Sequence, residues 1–245
     1  MSDFYTRKNC RLCDGNDIEV VLALQKSPLC DEYLDLLRDQ NFYNLNLCLC
    51  KECGFVQIDT VIDPEIIYRD YIYVTLSSPG LQNHFKQYAS EVCDFLHLFN
   101  SKLTIDIGSN DGTLLNFFKQ RGHNVLGVEP SIKAANDANE NGIETISEFF
   151  DFNLANTIVS KYGKASLITI NNLFANIDDL NKFVKNIDLI LDTNGILVIE
   201  SSYLLDMIDN MVFDFIYHEH LSYFSILPLT SFFKRFDIRL MHVHE

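Results

Sequence analysis

The chain has 245 residues, 47% of them hydrophobic, enough to build one full α/β domain plus a smaller module. Its formal net charge of −15 opposes polyanionic partners, which argues against nucleic acid and anionic membrane surfaces as targets. The amino terminus, Met1-Ser-Asp-Phe-Tyr-Thr-Arg-Lys8, lacks the apolar core of a signal peptide, and no later run approaches a membrane helix, so a cytoplasmic protein is expected.

Cysteines dominate the first segment. Cys10-Arg-Leu-Cys13 and Cys50-Lys-Glu-Cys53 are two Cys-x-x-Cys knuckles, and together they offer the four thiolates of a closed, structural zinc site. The long stretch between them must fold as an insertion of its own. Cys48 and Cys30 are expected to be spare core thiols. From Phe55 the alternation Phe55, Gln57, Asp59 against Val56 and Ile58 predicts a one-sided strand. A Pro64 break and a tyrosine cluster (Tyr68, Tyr71, Tyr73) then form a connector that closes over the next domain. The expected organisation is a zinc module with connector over 1–76 and a second domain over 77–245.

Leu81, Phe85, Tyr88, Ala89, Val92, Phe95, Leu96 and Phe99 recur at three and four, which predicts an amphipathic helix carrying His84 as a packing or capping residue. Strands and helices then alternate: strand 103–107, helix 113–121, strand 124–128, helix 131–141, strand 143–146, helix 151–161, strand 166–170, helix 178–192, strand 195–200. Five strands separated by helices predict a parallel, doubly wound α/β sheet with right-handed crossovers.

The first of these strands runs into Asp106-Ile-Gly-Ser-Asn-Asp-Gly112. Gly108 and Gly112 let the backbone turn tightly toward a ligand, and the helix after the turn should present free N–H groups to the same crevice. The second strand ends at Glu129, where doubly wound folds place the acid that grips a ribose. A dinucleotide fold would want a third glycine, and Asp106 and Asp111 would repel a pyrophosphate while attracting a sulfonium and an ammonium. With Ser109 and Asn110 between the glycines, the loop resembles the first motif of class I S-adenosylmethionine-dependent methyltransferases. Asn171 and Asn172 end the fourth strand on the carboxyl edge, where ligands of such sheets bind.

A second cluster follows the fifth strand. Tyr217, His218, Glu219, His220, Ser222 and Tyr223 fall within seven residues. Two histidines flanking a glutamate beside a tyrosine favour acid–base work over a metal pair, which would need an extended backbone to bring the imidazoles to one face.

Taken together, the two knuckles, the Tyr71-Ile-Tyr73 to Ser78 segment, the Asp-Ile-Gly-Ser-Asn-Asp-Gly loop and Ile216-Tyr-His-Glu-His-Leu-Ser-Tyr-Phe-Ser225 resemble a family of sugar C-methyltransferases. These enzymes act on nucleotide-linked keto-deoxysugars and include the thymidine-diphosphate-sugar C-3 methyltransferases. The resemblance implies a Rossmann-like class I methyltransferase sheet with a small amino-terminal zinc module, S-adenosylmethionine as cofactor, and a structural zinc. It implies cofactor contacts from Asp106, Gly108, Ser109, Asn110, Gly112, Glu129, Asn171 and Asn172. His220 would correspond to the base, with Tyr217 and Glu219 around the sugar and Tyr71, Tyr73, His218 and Tyr223 as further substrate contacts. Two departures stand out. The family usually carries a further carboxyl-terminal domain, whereas this chain stops at Met241-His-Val-His-Glu245, so a partner chain supplying that domain is expected. Asn176 stands where the family tends to have histidine. The rival readings are a class I O- or N-methyltransferase of another small metabolite and a non-catalytic, cofactor-binding half of a split enzyme.

Overall fold

The structure is a computed structural model that describes residues 3–30, 34, 36, 38–69, 71, 75–95 and 103–244. Tyr73, Leu96 and Phe99 lie outside the described residues. In chain order, β1 (Phe4–Thr6), β2 (Ile18–Ser27), β3 (Tyr43–Cys50), β4 (Val56–Ile58) and β5 (Thr60–Ile62) precede α1 (Pro64–Tyr68) and α2 (Pro79–Phe95). The alternating part comprises β6 (Leu103–Ile107), α3 (Thr113–Gln120), β7 (Asn124–Val128), α4 (Ile132–Glu140), β8 (Thr145–Ile146), α5 (Phe152–Tyr162), β9 (Ala165–Asn171), α6 (Leu180–Ile190) and β10 (Leu191–Glu200). It is followed by α7 (Leu204–Asp209), β11 (Ser222–Tyr223) and α8 (Ile226–Phe233).

The chain divides into two compact units that are not consecutive blocks. One comprises Met1–Ile67, Phe174–Val184 and Ser201–Glu245, and the other Tyr68–Leu173 and Lys185–Glu200. The chain returns to the first unit twice because its sheet and core draw strands and aromatics from all three pieces.

In this first, knuckle-bearing unit, β2 and β3 form the antiparallel hairpin that occupies the stretch between the cysteine pairs, within a four-stranded sheet of order β11-β4-β3-β2. The expected one-sided strand at β4 is buried on both faces, Gln57 included. Gln57 tolerates burial because its Oε1 accepts from Arg11 N at 2.9 Å and its Nε2 donates to Asn9 O at 3.1 Å, so both ends of the amide are satisfied. Leu45, Val56, Ile58, Val61, Leu204, Met207, Ile216, Leu221 and Tyr223 make the core. Phe174 stacks on Phe224 at 5.0 Å and on Phe233 at 6.0 Å, joining the middle and last pieces. Asp178 Oδ1 receives Arg7 Nη1 at 3.0 Å and the fully buried Arg11 Nε at 3.1 Å, joining the middle piece to the first. Cys48 is buried as expected, but Cys30 is exposed, so it is not a core thiol.

The second unit carries a five-stranded parallel sheet of order β10-β9-β6-β7-β8. Its strands match the sequence pattern closely, apart from β10, which begins at Leu191 and shifts register between Leu191 and Ile196. Ser78 starts α2, its Oγ accepting from Leu81 N, with Pro79 in the first turn where its missing N–H costs nothing. The helix then buries Phe85, Ala89 and Cys93 at intervals of four against Leu114, Phe118 and Leu167. The strand order reverses at β6, which has β7 on one side and β9 on the other, so the crevice for a ligand lies at the carboxyl end of β6. No helix among the described residues is long and apolar enough to cross a membrane.

Candidate functional site

The knuckles bring Cys10, Cys13, Cys50 and Cys53 together, with all four Sγ atoms within 4.8 Å of one another. Cys10 and Cys53 stand 3.6 Å apart, as do Cys13 and Cys50. Zinc–sulfur bonds of about 2.3 Å in a tetrahedron separate the sulfurs by about 3.8 Å, so the set fits zinc. Each knuckle is a tight turn, closed by Asp14 N to Cys10 O at 3.0 Å and by Gly54 N to Cys50 O at 2.8 Å. Asp14 and Gly54 both take the positive φ these turns require. Burial pushes the Cys10 thiol up to about 12, so an ion that displaces its proton is what makes it a thiolate at neutral pH.

In the parallel-sheet unit, the turn after β6 is over-determined. Gly108 N and Ser109 N both donate to Val128 O, at 2.8 and 3.2 Å, which pins the turn to the end of β7. Gly108 (φ 80), Asn110 (φ 48) and Gly112 (φ 75) are left-handed. A Cβ on Gly108 would stand 3.0 Å from Leu173, and one on Gly112 3.0 Å from Ile143, so both glycines are also required by packing within the protein. The glycine that sequence reasoning missed is Gly127 in β7, where a Cβ would stand 2.5 Å from both Ser109 Oγ and Thr145 Oγ1. A glycine inside an apolar strand was the available signal.

Glu129 is buried, its Oε2 accepting from Asn110 N at 2.9 Å and its Oε1 from Ser131 N at 2.8 Å. Each oxygen keeps a second lone pair, which fits an acid that both shapes the turn and receives ribose hydroxyls. Asp111 has a different job from the expected attraction of a cation. It is buried, taking Leu76 N at 2.8 Å on Oδ2 and Thr113 N and Oγ1 at 3.0 and 2.6 Å on Oδ1. One of the helix N–H groups expected to face the crevice is therefore capped by Asp111. Asn110 Oδ1 in turn accepts from Thr75 N at 3.0 Å, so residues 75–76 strap the loop, and Tyr71 O lies 3.5 Å from Ser131 Oγ.

Asp106 is the buried acid of the crevice, with its Oδ1 receiving Thr169 Oγ1 at 2.7 Å and Asn171 Nδ2 at 3.5 Å. Burial pushes its carboxyl from the ordinary 3.8 up to about 7, reinforced by Glu129 and Glu200. The folded chain thus holds more protons than the unfolded one between about pH 4 and 7, and stability falls as pH rises through that window. Asp106→Asn is expected to flatten that slope and to stabilise the ligand-free protein at pH 8 by a few kcal/mol, as urea unfolding at pH 5 and pH 8 would measure. Asn171 Oδ1, buried close to Asp106, has no hydrogen-bond partner among the described residues, and the Tyr88 phenol is buried beside the same two side chains. An unmet amide oxygen beside a buried acid suits a ligand bearing N–H donors and positive charge, so the residues fit S-adenosylmethionine. Asn172 is exposed, with φ 54 and Nδ2 3.4 Å from Glu200 Oε1.

The second cluster belongs to the knuckle-bearing unit. His220 Nδ1 is 3.0 Å from Phe215 O, an atom that can only accept, so the proton is on Nδ1. The Nε2 lone pair then faces Tyr217 Oη at 3.0 Å, and the phenol donates. Burial lowers the His220 pKa, which keeps the ring neutral and basic at physiological pH. Tyr223 Oη donates to the same Phe215 O at 3.3 Å, so Tyr223, buried in β11, fixes the carbonyl that sets the His220 tautomer. His218 is also buried, with Nε2 3.1 Å from Asn44 O and its ring 5.8 Å from Tyr43. His218 and Tyr223 are thus both buried, each with a main-chain carbonyl as partner. Glu219 is buried in the same turn. The turn directs His218 and His220 to different partners, Asn44 and Tyr217.

Residues 81–243 match a family model described as "Methyltransferase domain", and residues 10–68 one described as "Putative zinc binding domain". The C-methyltransferase NovU of Streptomyces niveus is 29% identical over 238 residues, covering 96% of this chain and 57% of that protein. The chain thus spans little more than half the length of that curated relative. Among solved structures, an S-adenosylmethionine-dependent methyltransferase from Clostridium acetobutylicum ATCC 824 is 18% identical with a TM-score of 0.42, covering 51% of this chain and 52% of that one. DesVI of Streptomyces venezuelae is 17% identical with a TM-score of 0.40, covering 49% and 52%. The parallel sheet reversing at β6, the glycine turn and a family match across more than half the sequence lead to one conclusion: the chain belongs to the methyltransferase domain family and has the class I S-adenosylmethionine-dependent methyltransferase fold.

Proposed function

We propose that the protein is a C-methyltransferase that acts on a nucleotide-linked keto-deoxysugar with S-adenosylmethionine as methyl donor. The observation that carries the reading is the Tyr217–His220 pair, a neutral imidazole with its Nε2 lone pair held ready and a phenol on it. Carbon methylation next to a keto group needs both a base for the α-proton and a donor for the developing oxyanion. The 29% identity to a protein named as a C-methyltransferase supports the same choice.

When bound, S-adenosylmethionine supplies an electrophilic methyl group. The chain's residues do the rest. Asp106, Gly108, Ser109, Asn110, Gly112, Glu129, Asn171 and Asn172 hold the donor at the carboxyl edge of the sheet. Tyr217 turns its O–H from His220 Nε2 to the keto oxygen, which frees the lone pair as it places a hydrogen-bond donor on the oxygen. His220 Nε2 then takes the α-proton, and Tyr223 with Phe215 O holds the ring on the tautomer that permits it. Glu219, in the same turn as His220, is assigned to the sugar by this reading, and zinc on the four thiolates holds the amino-terminal hairpin. Reduced cysteines held as metal ligands suit a reducing compartment, so the reading places the protein in the cytoplasm.

Activity should rise with pH as His220 loses its proton, and the midpoint of that acidic limb is expected below 6.5 because burial lowers this imidazole. A pH profile of kcat/KM checks it. The function itself is tested by calorimetric titration of the chain with S-adenosylhomocysteine, then with a thymidine-diphosphate keto-deoxysugar in its presence. Binding of both is the expected result, and no binding of the first would overturn the cofactor assignment. A second reading is favoured by the 57% span of the relative: substrate binding then depends on polypeptide beyond these 245 residues, in the same protein or in a partner chain. Cofactor binding without sugar binding would select it. An O- or N-methyltransferase would bind the cofactor but release no α-proton from a keto sugar into deuterated solvent.

A further inference from the structure

One polar group in the parallel-sheet unit has no part in the mechanism above. His84 Nε2 on α2 lies 2.6 Å from Glu200 Oε2, the last residue of β10. The pair is reachable, the His84 side chain 47% and the Glu200 side chain 28% exposed. An exposed pair of this kind contributes little to stability, so its geometry invites another reason. Asn172 steadies the carboxylate, and its main-chain N–H donates to Glu200 O at 2.9 Å.

Three features give the pair a context. First, Glu200 and Asn171 are register partners at the carboxyl ends of β10 and β9, and Asp106 sits in β6 beside β9, so all three share one edge. Second, Asn171 commits its Nδ2 to Asp106 and leaves Oδ1 buried and unmet, beside Tyr88, which lies one helical turn along α2 from His84. Third, neighbouring strands lie about 4.8 Å apart, so the step from Glu129 beyond β7 to Asn171 on β9 spans two spacings, roughly 10 Å. That suits a nucleoside extended through a thioether to an amino acid.

We propose that His84 and Glu200 form a bipolar clamp for the α-amino-acid head of the cofactor. His84 offers a ring N–H to the carboxylate, and Glu200 and Asn171 Oδ1 receive the ammonium. A ring N–H donor and a carboxylate side by side match a zwitterion, whose own charges are two bonds apart, better than they match any ligand of one sign. The inference rests on the cofactor reading given above and adds the contacts that distinguish the whole cofactor from its nucleoside part.

Calorimetry with two probes tests it: S-adenosylhomocysteine, which carries the head, and 5′-methylthioadenosine, which lacks it. His84→Gln and Glu200→Gln are each expected to weaken S-adenosylhomocysteine by about tenfold or more while moving 5′-methylthioadenosine less than about twofold. Equal weakening of both probes would make the pair a structural support and overturn the clamp, as would unchanged affinity for both. These outcomes leave the cofactor assignment intact. Failure of the unaltered protein to bind either probe would instead overturn that assignment, and the clamp with it.

Discussion

His220→Asn is expected to lower methyl transfer by about a thousandfold or more while S-adenosylhomocysteine affinity stays within about twofold. Asparagine keeps a polar group of similar reach that Tyr217 can still donate to, but it has no lone pair basic enough to hold a proton taken from carbon. The loss should therefore fall on kcat. The decisive measurement is exchange of the keto sugar's α-proton with deuterated solvent, which reports the base before any methyl is transferred. Exchange should vanish together with turnover, and retained exchange in His220→Asn would remove the imidazole from the mechanism. Tyr217→Phe should be milder, about ten- to a hundredfold, because it deletes the donor to oxygen and leaves Nε2 uncovered. Tyr223→Phe provides a further check. It leaves the base in place but frees Phe215 O from one of its two donors, so its effect should be a shifted pH profile more than a lost maximum.

Cys50→Ser is expected to abolish zinc retention and to unfold the knuckle-bearing unit. Cys50 and Cys10 are wholly buried, and Cys50 ends β3, so the ion ties the hairpin to residues 10–13 from inside the core. Structural zinc in small domains contributes on the order of 10 kcal/mol of apparent binding energy at neutral pH, more than most domains hold in reserve. Metal analysis, far-UV circular dichroism and limited proteolysis read the outcome, with cleavage expected first within residues 1–67. Cys48→Ala is the control. Cys48 is buried two residues away but is not one of the clustered thiols, so that variant should keep its zinc and lose only about 1–2 kcal/mol for the small cavity. A zinc-free Cys50→Ser protein with unchanged melting would show the ion to be dispensable.

The parallel sheet was legible because its information is local. Leu103, Ile105 and Ile107 alternate into a glycine turn, and Asn124–Val128 and Ala165–Asn171 repeat the pattern within a residue or two of the strands observed. The knuckles were legible for the same reason, since Cys-x-x-Cys spacing encodes a turn. What escaped was non-local. Nothing in the periodicity of β4 says that Gln57 will be buried, because its partners are backbone groups of Asn9 and Arg11. Nothing near Asp178 says that it will receive Arg7 and Arg11 from far earlier in the chain. The cluster at 217–223 was legible as chemistry but not as roles. Which of its polar side chains faces a ligand depends on the turn at His218 and on β11 docking against β4, and those put Tyr223 and His218 inside. Asp111 was misjudged because a carboxylate in a glycine loop can cap the following helix as easily as attract a cation.

The pairing of β11 with β4 has a consequence for how the chain comes off the ribosome. Ser222 and Tyr223 close the edge of β4, yet they are translated long after Val56 and Gln57. At roughly 5–20 residues per second, an apolar strand edge waits on the order of ten to thirty seconds for its neighbour. Open edges of that kind invite pairing with other nascent chains. All four zinc ligands, by contrast, emerge within the first 53 residues. Metal capture can therefore lock the early hairpin while its last strand is still being made, so cells short of zinc should accumulate this protein as aggregate during synthesis even where the finished molecule would survive.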